Sequence, residues 1–378
     1  MIIGIDASRA NKLKKTGVEW YSYYLIQNLK KIDKENHYFL YTDKKLRGEL
    51  ANNPENFEEK VLTWPFKYLW TQVRLSAEML LSTKKPDILF VPAHTLPLIH
   101  PQNSVITIHD VAFARFPELY SRKELIYHHW IMKFIRKAAK KIITISQFSK
   151  KEIIKFYKIN PEKIKVIYLG INKSIYRPLK DKSQLEKILS QYKVRQPFFL
   201  NIARWENKKN ILGLIRAFKI FQEKYSSDFQ LVLIGKEGYG FSQILEEVKK
   251  LDLEDKVHFV HWLSPEILVY FLNGATAFVF PSFYEGFGLP VLEAMACATP
   301  VIASQVSSLP EIAGKAALFV NPYQPEEIAQ AMISIAKDEN LAEELVNRGF
   351  DQIKKFSWEK CAQETLALLS TTTSQKNH

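Results

Sequence analysis

Short apolar segments alternate with helical stretches along most of the chain. Helical spacing is clearest in residues 18–31, 210–224 and 325–337. Such alternation predicts parallel β-sheets that are covered by helices on both faces. The apolar segments that read as strands are Ile2–Ile5, Tyr38–Tyr41, Ile88–Val91, Val105–Ile108, Ile142–Ile145, Val166–Tyr168, Phe198–Ile202, Leu231–Ile234, Val257–Val260, Ala277–Phe280, Val301–Ala303 and Ala317–Val320.

The number of these segments indicates two domains. Twelve strands are too many for one doubly wound sheet, and a chain of 378 residues is long for a single core. The polar stretch 171–195 separates six strands from six. We therefore expect domains at residues 1–175 and 196–355, with a linker at 176–195. Near the C-terminus, Phe356-Ser357-Trp358 interrupts a helical pattern that resumes at Glu359.

Composition favours a globular protein in a reducing compartment. Apolar residues make up 47% of the chain, and the two cysteines, Cys297 and Cys361, have no metal-binding spacing. No apolar run approaches the ~18 residues of a membrane span. Met1 leads directly into the first strand, so we expect no signal peptide and a cytoplasmic protein.

Charge is divided unevenly along the chain. Residues 1–195 hold 36 Lys and Arg against 18 Asp and Glu, whereas residues 196–378 hold 17 against 22. Such asymmetry suggests that the first half meets an anionic surface or substrate. A solvated basic face that only maintains solubility explains the charge equally well. No motif supports nucleic-acid binding.

The segment around residues 278–304 holds the most specific signal. Strand Phe278–Phe280 leads into a loop with Glu285, Gly286 and Gly288, and a helix with Pro290 in its first turn follows. Backbone N–H groups and the helix dipole at such a junction bind anions. Flanking carboxylates, Glu285 and Glu293, suit hydroxyl groups. A nucleotide sugar has both features.

The string Tyr-Glu-Gly-Phe-Gly-Leu-Pro-Val-Leu-Glu-Ala-Met-Ala, residues 284–296, resembles the signature of the retaining, nucleotide-sugar-dependent glycosyltransferases of family 4. The resemblance implies the GT-B fold, in which two Rossmann-like doubly wound parallel-sheet domains face each other across a cleft. It also implies that the last helix, 358–371, crosses back to the N-terminal domain. Glu285 would bind the donor sugar, Glu293 the ribose, and Phe287, Gly288 and Leu289 would offer backbone N–H groups.

A second motif, residues 203–210, follows strand Phe198–Ile202. Arg204 and Lys209 match the cations with which the family neutralises the donor diphosphate, and such fixed charges stabilise the leaving group. Ala203 and Ala298 stand where glycine is frequent in relatives. No Asp-x-Asp occurs. We therefore expect no metal and no cofactor beyond a GDP- or UDP-sugar donor.

The N-terminal half is expected to serve the acceptor side. By resemblance, Gly17 approaches the donor phosphate and His109 contacts the donor sugar, although a histidine at a strand end is also a common structural feature. The resemblance also implies that the nucleobase lies near residues 235–240, Trp262 and Leu263. Ser149 and Glu152 have the spacing of a helix capping box.

Two stretches mix basic and aromatic residues, 64–70 and 121–141. Their composition suits a membrane interface, but amphipathic helices packed on a core are equally consistent with it. A peripheral position at the inner face of the membrane is therefore left open.

Together these features predict a hexosyltransferase that transfers a mannose- or glucose-type residue to a saccharide or lipid-linked saccharide, for cell-surface polysaccharide or glycoconjugate synthesis. The alternatives are a GT-B-fold nucleotide-sugar epimerase and a non-catalytic nucleotide-sugar-binding protein. An epimerase would isomerise its sugar without an acceptor.

Overall fold

A computed structural model describes residues 1–66 and 68–374. Lys67, which belongs to the aromatic stretch 64–70, lies outside the described residues. The chain divides into two compact units. The first comprises residues Met1–Gly170 with the C-terminal segment from Phe356, and the second comprises Ile171–Lys355.

Each unit is built on a parallel sheet. The first sheet has seven strands in the order β3-β2-β1-β4-β5-β6-β7, and the second has six in the order β10-β9-β8-β11-β12-β13. Both orders are those of a doubly wound Rossmann-like sheet. The strands are β1 (Ile2–Asp6), β2 (His37–Thr42), β3 (Phe57–Val61), β4 (Ile88–Val91), β5 (Ser104–Ile108), β6 (Lys141–Thr144), β7 (Ile164–Val166), β8 (Phe198–Trp205), β9 (Gln230–Glu237), β10 (Val257–His261), β11 (Ala277–Phe280), β12 (Val301–Ser304) and β13 (Leu318–Val320).

Helices connect the strands and cover both sheets. The α-helices are α1 (Gly17–Ile32), α2 (Leu75–Leu81), α3 (Ala112–Arg115), α4 (Arg122–Ala138), α5 (Gln147–Tyr157), α6 (Leu185–Gln191), α7 (Ile211–Lys224), α8 (Phe241–Lys250), α9 (Pro265–Gly274), α10 (Leu289–Ala296), α11 (Leu309–Ala313), α12 (Pro325–Lys337), α13 (Glu339–Gln352) and α14 (Trp358–Ser374). A π-helical turn precedes α2 (Trp70–Arg74), and 3₁₀ turns lie at Gly48–Ala51, Pro117–Leu119, Pro161–Lys163, Asn207–Lys209 and Ile353–Lys355.

The cores follow from the sequence pattern. Strand β4 is buried at every position, as expected for a central parallel strand with helices on both faces. Helix α7 buries Leu214, Phe218 and Phe221, which are spaced for one helical face, against the second sheet. Each unit thus has its own core.

One strand of the first sheet was missed. Strand β3, Phe-Glu-Glu-Lys-Val, is mostly polar because it lies at the edge of the sheet and pairs only with β2. The strand expected at Val166–Tyr168 lies slightly earlier, at Ile164–Val166.

The division into units also differs from the expected boundaries. The first unit ends at Gly170, and the segment 176–195, interpreted as a linker, belongs to the second unit. Its helix α6 buries Leu185 and Leu189 and packs on α9. A lysine-rich sequence concealed this helix because only two of its residues face the core.

The C-terminal segment belongs to the first unit, where α14 packs against α1. The chain approaches very closely at Gly170, since a Cβ there would lie 2.1 Å from the backbone nitrogen of Trp358. Only glycine allows that approach. Tyr24 of α1 stacks on Trp358, with ring centroids 5.2 Å apart.

Candidate active site

In the second unit the sheet order reverses between β8 and β11. The carboxyl ends of parallel strands share one edge, and ligands of open α/β sheets bind at such a switch point. Arg204 lies near the end of β8, and Glu285 lies in the loop that follows β11. The topology therefore brings the two sequence motifs to the same crevice.

Lys209 and Glu285 form an ion pair at this crevice. Lys209 Nζ lies 2.7 Å from Glu285 Oε1, and both side chains are largely buried. Asn210, in the left-handed conformation, begins α7, and its side-chain amide donates to the carbonyls of Pro281 (3.1 Å) and Pro322 (2.6 Å). These bonds fix the loop that presents Lys209. An ammonium group has three donors, so Lys209 can bond Glu285 and a phosphate oxygen together.

Arg204 offers a more accessible cation. Its side chain is 54% exposed, and its Nε lies 3.5 Å from Glu206 Oε2. Glu206 also lies 3.7 Å from the ammonium of Lys208. The carboxylate of Glu206 therefore holds two neighbouring cations near the end of β8, where an anionic ligand can meet the guanidinium.

The loop with Glu285 is fixed by two serines that sequence reasoning did not single out. Ser308 Oγ lies 2.9 Å from the carbonyl oxygens of both Glu285 and Phe287, and the Glu285 N–H donates to Ser307 Oγ over 3.2 Å. Both serines follow β12, the neighbour of β11. In the sequence, the only indication of this role was that two consecutive serines follow the strand after β11.

Gly288 starts helix α10 with φ of +107°, and a Cβ there would lie 2.7 Å from Leu309 Cδ2. The positive φ favours glycine here, and a Cβ would also require the Leu309 side chain to shift. Leu289 is the first helical residue, and Phe287 is buried beside it. The N–H groups at the start of a helix lack intrahelical partners and can therefore bind anions.

Glu293 lies in α10, one helical turn beyond Leu289. The residue as a whole is half-buried, but its carboxyl group is enclosed by protein. Burial raises the pKa of its carboxyl group to about 7, although a hydrogen bond from Tyr176 acts in the opposite direction. The group is therefore close to half-ionised at neutral pH. A ligand hydroxyl that donates to the carboxylate would favour the ionised form.

The expected nucleobase region lies along the ends of β9 and β10. Gly235 pairs in register with Ala203, and a Cβ on Gly235 would lie 1.8 Å from the Ala203 carbonyl oxygen. Trp262 and Leu263 follow β10, and Trp262 is 45% exposed. An exposed indole at a strand end offers a face on which a base can stack.

The first unit holds the other two predicted site residues. Its strand order reverses between β1 and β4; Gly17 begins the helix after β1, and His109 follows β5, the strand next to β4. His109, just after β5, is buried; its Nε2 lies 3.3 Å from the Pro92 carbonyl oxygen and its ring packs edge-on against Tyr21. Burial lowers the pKa of His109, so the ring is neutral at pH 7. Gly17 is the exposed first residue of α1.

Two features of the first unit differ from expectation or were missed. The cap of α5 is Ser146, which accepts from the Ser149 N–H over 3.0 Å; Ser149 lies inside the helix and donates to the His109 carbonyl over 3.1 Å. The capping box proposed for Ser149 and Glu152 was therefore wrong. Buried Asp6 at the end of β1, unnoticed in the sequence, accepts bonds from Ser8 and Thr71 that shape the following loop.

Comparisons with known proteins agree with this geometry. Residues 15–174 match a family model described as Glycosyltransferase Family 4, and residues 184–352 match one described as Glycosyl transferases group 1. The chain is 32% identical over 266 residues to O-antigen chain mannosyltransferase B of Escherichia coli, covering 70% of this chain and 69% of the relative.

Solved structures with the same fold include sucrose-phosphate synthase from Thermosynechococcus elongatus, with a TM-score of 0.79 and 21% identity over 99% of this chain and all of the other. A second is HepE of Anabaena in complex with UDP-glucose, with a TM-score of 0.73 and 18% identity over 98% and 99% of the two chains. The chain therefore belongs to the family 4 glycosyltransferases, and it is a hexosyltransferase of GT-B architecture.

Proposed function

We propose that this hexosyltransferase acts in polysaccharide synthesis and moves a mannose- or glucose-type residue, with retention, from a GDP- or UDP-sugar to a saccharide or lipid-linked saccharide. The similarity to an O-antigen mannosyltransferase supports mannose, and the fold shared with the UDP-glucose complex of HepE is consistent with a nucleotide-sugar donor. A glycoconjugate in place of a polysaccharide would need the same chemistry.

The observation that carries the proposal is the Lys209–Glu285 pair at the switch point, beside the first turn of α10. A nucleotide sugar presents a diphosphate and hydroxyls a few ångströms apart. Lys209, Arg204 and the N–H groups near Phe287, Gly288 and Leu289 suit the diphosphate, whereas Glu285 suits the hydroxyls of the sugar. Glu293 is assigned to the ribose hydroxyls, and Trp262 with Leu263 to the base.

During transfer the bond between the sugar's anomeric carbon and the diphosphate oxygen breaks, and the acceptor oxygen bonds to the same face of that carbon. The acceptor's proton passes to the departing phosphate oxygen, so no protein base is required. Arg204 and Lys209 stabilise the charge that develops on the diphosphate. His109, neutral because it is buried, is assigned to donor-sugar contact, and Gly17 to close approach of the phosphate.

These cations and amides occupy the role that a divalent metal has in other nucleotide-sugar enzymes. We therefore assign the reaction no metal and no organic cofactor.

A peripheral membrane position is supported by the exposed face of α4. Ile126 (71% exposed) and Trp130 (48%) lie on one helical face with Lys123, Lys133 and Lys137. None of the helices in the described ranges combines the length and apolar content of a membrane span. Apolar side chains among lysines suit shallow insertion into an anionic bilayer surface, at the cytoplasmic face where nucleotide sugars are available.

Neighbouring segments extend this surface. Phe66, Tyr68 and Leu69 are exposed, and Gln72 donates to the hydroxyl of Tyr127 on α4. Lys140 and Lys141, grouped with α4 in the sequence, lie beyond its end, and Lys141 begins β6. They are therefore left out of the membrane-facing set.

Vesicle co-sedimentation tests this position. Binding to anionic vesicles at low salt should fall when Lys123, Lys133 and Lys137 are changed to glutamine, and when Ile126 and Trp130 are changed to serine. Changing the exposed Lys249 and Lys250 of α8 to glutamine is the matched control and should have no effect. Equal sedimentation with neutral and anionic vesicles would contradict the assignment.

The donor is tested with a panel of GDP- and UDP-sugars scored by the rise in melting temperature, which grows with ligand concentration relative to Kd. The true donor should then yield product whose anomeric configuration, measured by NMR, matches that of the donor. An inverted product would refute retention. An isomerised nucleotide sugar formed without acceptor would instead identify an epimerase.

A further inference from the structure

The first unit contains a cavity of about 280 Å³ that the proposed function does not use. It lies between the loop after β1, helix α1 and the turn that begins at Gly48. We name it the aromatic–basic pocket, and its charged and aromatic lining residues are Lys12, Lys15, Trp20, Tyr23, Arg47 and Glu49. Its volume is just below the roughly 300–1,000 Å³ of pockets for drug-sized ligands, so one sugar residue is a suitable occupant.

The charge of this lining favours an anion. The lining holds three cations and one carboxylate. Lys12 also pairs with Asp43 Oδ2 over 3.8 Å, and the carboxylate of Glu49 accepts a hydrogen bond from the Tyr23 hydroxyl over 2.8 Å, so Lys15 and Arg47 are the cations that an anion would meet. Burial lowers the pKa of Lys15, an effect that the nearby charge of Glu19 partly offsets. A partly desolvated ammonium group gains more from a bound anion than one in open water does.

The aromatic lining is held rigidly. Lys15 Nζ lies 5.3 Å from the Trp20 ring centroid and 5.0 Å from that of Tyr23. Trp20 stacks on Tyr24, with centroids 5.2 Å apart, and Tyr24 stacks on Trp358 of α14. A fixed aromatic surface beside cations suits a sugar ring that carries an acidic group, since the ring packs on carbon faces while the acid pairs with the cations.

We propose that the aromatic–basic pocket binds an anionic sugar residue of the acceptor, one that carries a carboxylate or a phosphate. The inference rests on the proposed function, because it assumes a saccharide acceptor. It adds a substrate class, an acidic glycan, and residues that select it.

Binding is tested on the full chain by saturation-transfer NMR and calorimetry with five probes: glucuronate, mannose 6-phosphate, mannose, inorganic phosphate and a short prenyl diphosphate. We expect the two anionic sugars to bind more tightly than mannose and more tightly than phosphate alone. Equal binding of mannose would overturn the role of charge. Phosphate or a short prenyl diphosphate binding as well as the anionic sugars would overturn the role of the ring and indicate a lipid-diphosphate site.

Variants assign the binding to this pocket. Lys15→Gln and Arg47→Gln should each weaken anionic-sugar binding roughly tenfold or more, and Trp20→Leu should weaken it while Trp20→Phe retains most of it. Lys31→Gln, an exposed change on the same helix, is the control. In transfer assays the pocket variants should raise KM for an acidic acceptor and leave KM for the donor unchanged.

The rise in melting temperature that a nucleotide sugar causes distinguishes a failure of the pocket assignment from a failure of the proposed function. If a nucleotide sugar stabilises the protein but the pocket variants bind anionic sugars as the unaltered protein does, the pocket assignment is wrong and the proposed function stands. If no nucleotide sugar stabilises it, the proposed function fails first.

Discussion

Glu293 should make both the stability of the second unit and its donor affinity depend on pH. Its pKa rises from 4.5 in the unfolded chain to about 7 in the folded protein because the carboxyl group is buried in α10. Such a rise corresponds to about 3 kcal/mol of free energy, since each pH unit is worth about 1.4 kcal/mol. The substitution Glu293→Gln keeps the shape and removes the charge.

The sign follows from the direction of the pKa change. Below about pH 4.5 the carboxyl group is protonated in both states, and its contribution to stability is fully present. As pH rises to about 7, the unfolded chain ionises first and the folded protein loses that contribution. Glu293→Gln has no such loss. Its stability relative to the parent should therefore increase by about 3 kcal/mol between pH 4.5 and 8.

Thermal melting at pH 5 and pH 8 measures this difference. The melting temperature of a unit of this size shifts by about 3 °C per kcal/mol. About 2.5 kcal/mol of the effect falls between pH 5 and pH 8, so the variant should gain about 7 °C on the parent across that range. Glu326→Gln, an exposed change on α12, is the control and should follow the parent. If the melting temperatures of Glu293→Gln and the parent differ by the same amount at both pH values, the buried carboxyl group is not the source of the pH dependence.

Donor binding should respond in the opposite direction. If the ribose hydroxyls donate to the Glu293 carboxylate, only the ionised form binds well, and that form increases from about one tenth at pH 6 to about nine tenths at pH 8. Calorimetry should find donor affinity rising roughly tenfold over this range in the parent. Glu293→Gln should bind weakly at every pH. A parent affinity independent of pH would refute the ribose assignment.

Four further outcomes are expected. Arg204→Met and Lys209→Met should each lower the transfer rate by roughly two to three orders of magnitude. Lys209→Met should also lower the free energy of unfolding by about 2 kcal/mol, because it leaves Glu285 without its partner. Adding Glu285→Gln to that variant should restore stability but not activity. Transfer should persist in excess EDTA, and loss that magnesium or manganese reverses would contradict a role for protein cations in place of a metal. Gly17→Ala should leave the melting temperature unchanged or slightly higher, since a Cβ there meets no atom within 4 Å among the described residues. The same change should lower kcat/KM if the donor phosphate approaches Gly17. Unchanged kinetics would contradict that role. Ala298→Gly should stabilise the second unit by about 1 kcal/mol, because Ala298 has φ of +60°, whereas Ala294→Gly in the helix interior should destabilise it; melting curves of both variants check the sign.

The sequence was sufficient for the fold class and for the elements that hold the donor motifs. Continuous apolar runs such as Ile88–Val91 predict buried parallel strands because no polar face is needed. It was insufficient where tertiary position overrides local pattern. Strand β3 is polar because it is an edge strand, and α6 turns only Leu185 and Leu189 to the core among lysines. Neither has a periodicity strong enough to identify it alone.

The site residues divide in the same way. The resemblance of two motifs to family 4 predicted Arg204, Lys209, Glu285 and Glu293 as site residues, but a one-dimensional pattern carries no information on which strand ends become neighbours. The reversal of strand order between β8 and β11 brings Lys209 within 2.7 Å of Glu285, although they are separated by 75 intervening residues. Ser307 and Ser308, which hold the loop with Glu285, follow β12, the strand next to β11.

The electrostatics of the site depend on that same packing. Glu285 and Glu293 are identical residues eight positions apart, yet Glu285 meets the ammonium of Lys209, while the enclosed carboxyl group of Glu293 accepts a hydrogen bond from Tyr176. One carboxylate is therefore compensated by a fixed cation, whereas the other has its pKa raised to about 7. Two acids of one motif thus acquire different chemistry: Glu285 is paired with an ammonium group, and Glu293 can exchange its proton for a ligand's hydrogen bond at neutral pH. Because this difference arises from the partner of each carboxyl group rather than from residue type, Lys209→Met should remove the cation that distinguishes Glu285 from Glu293.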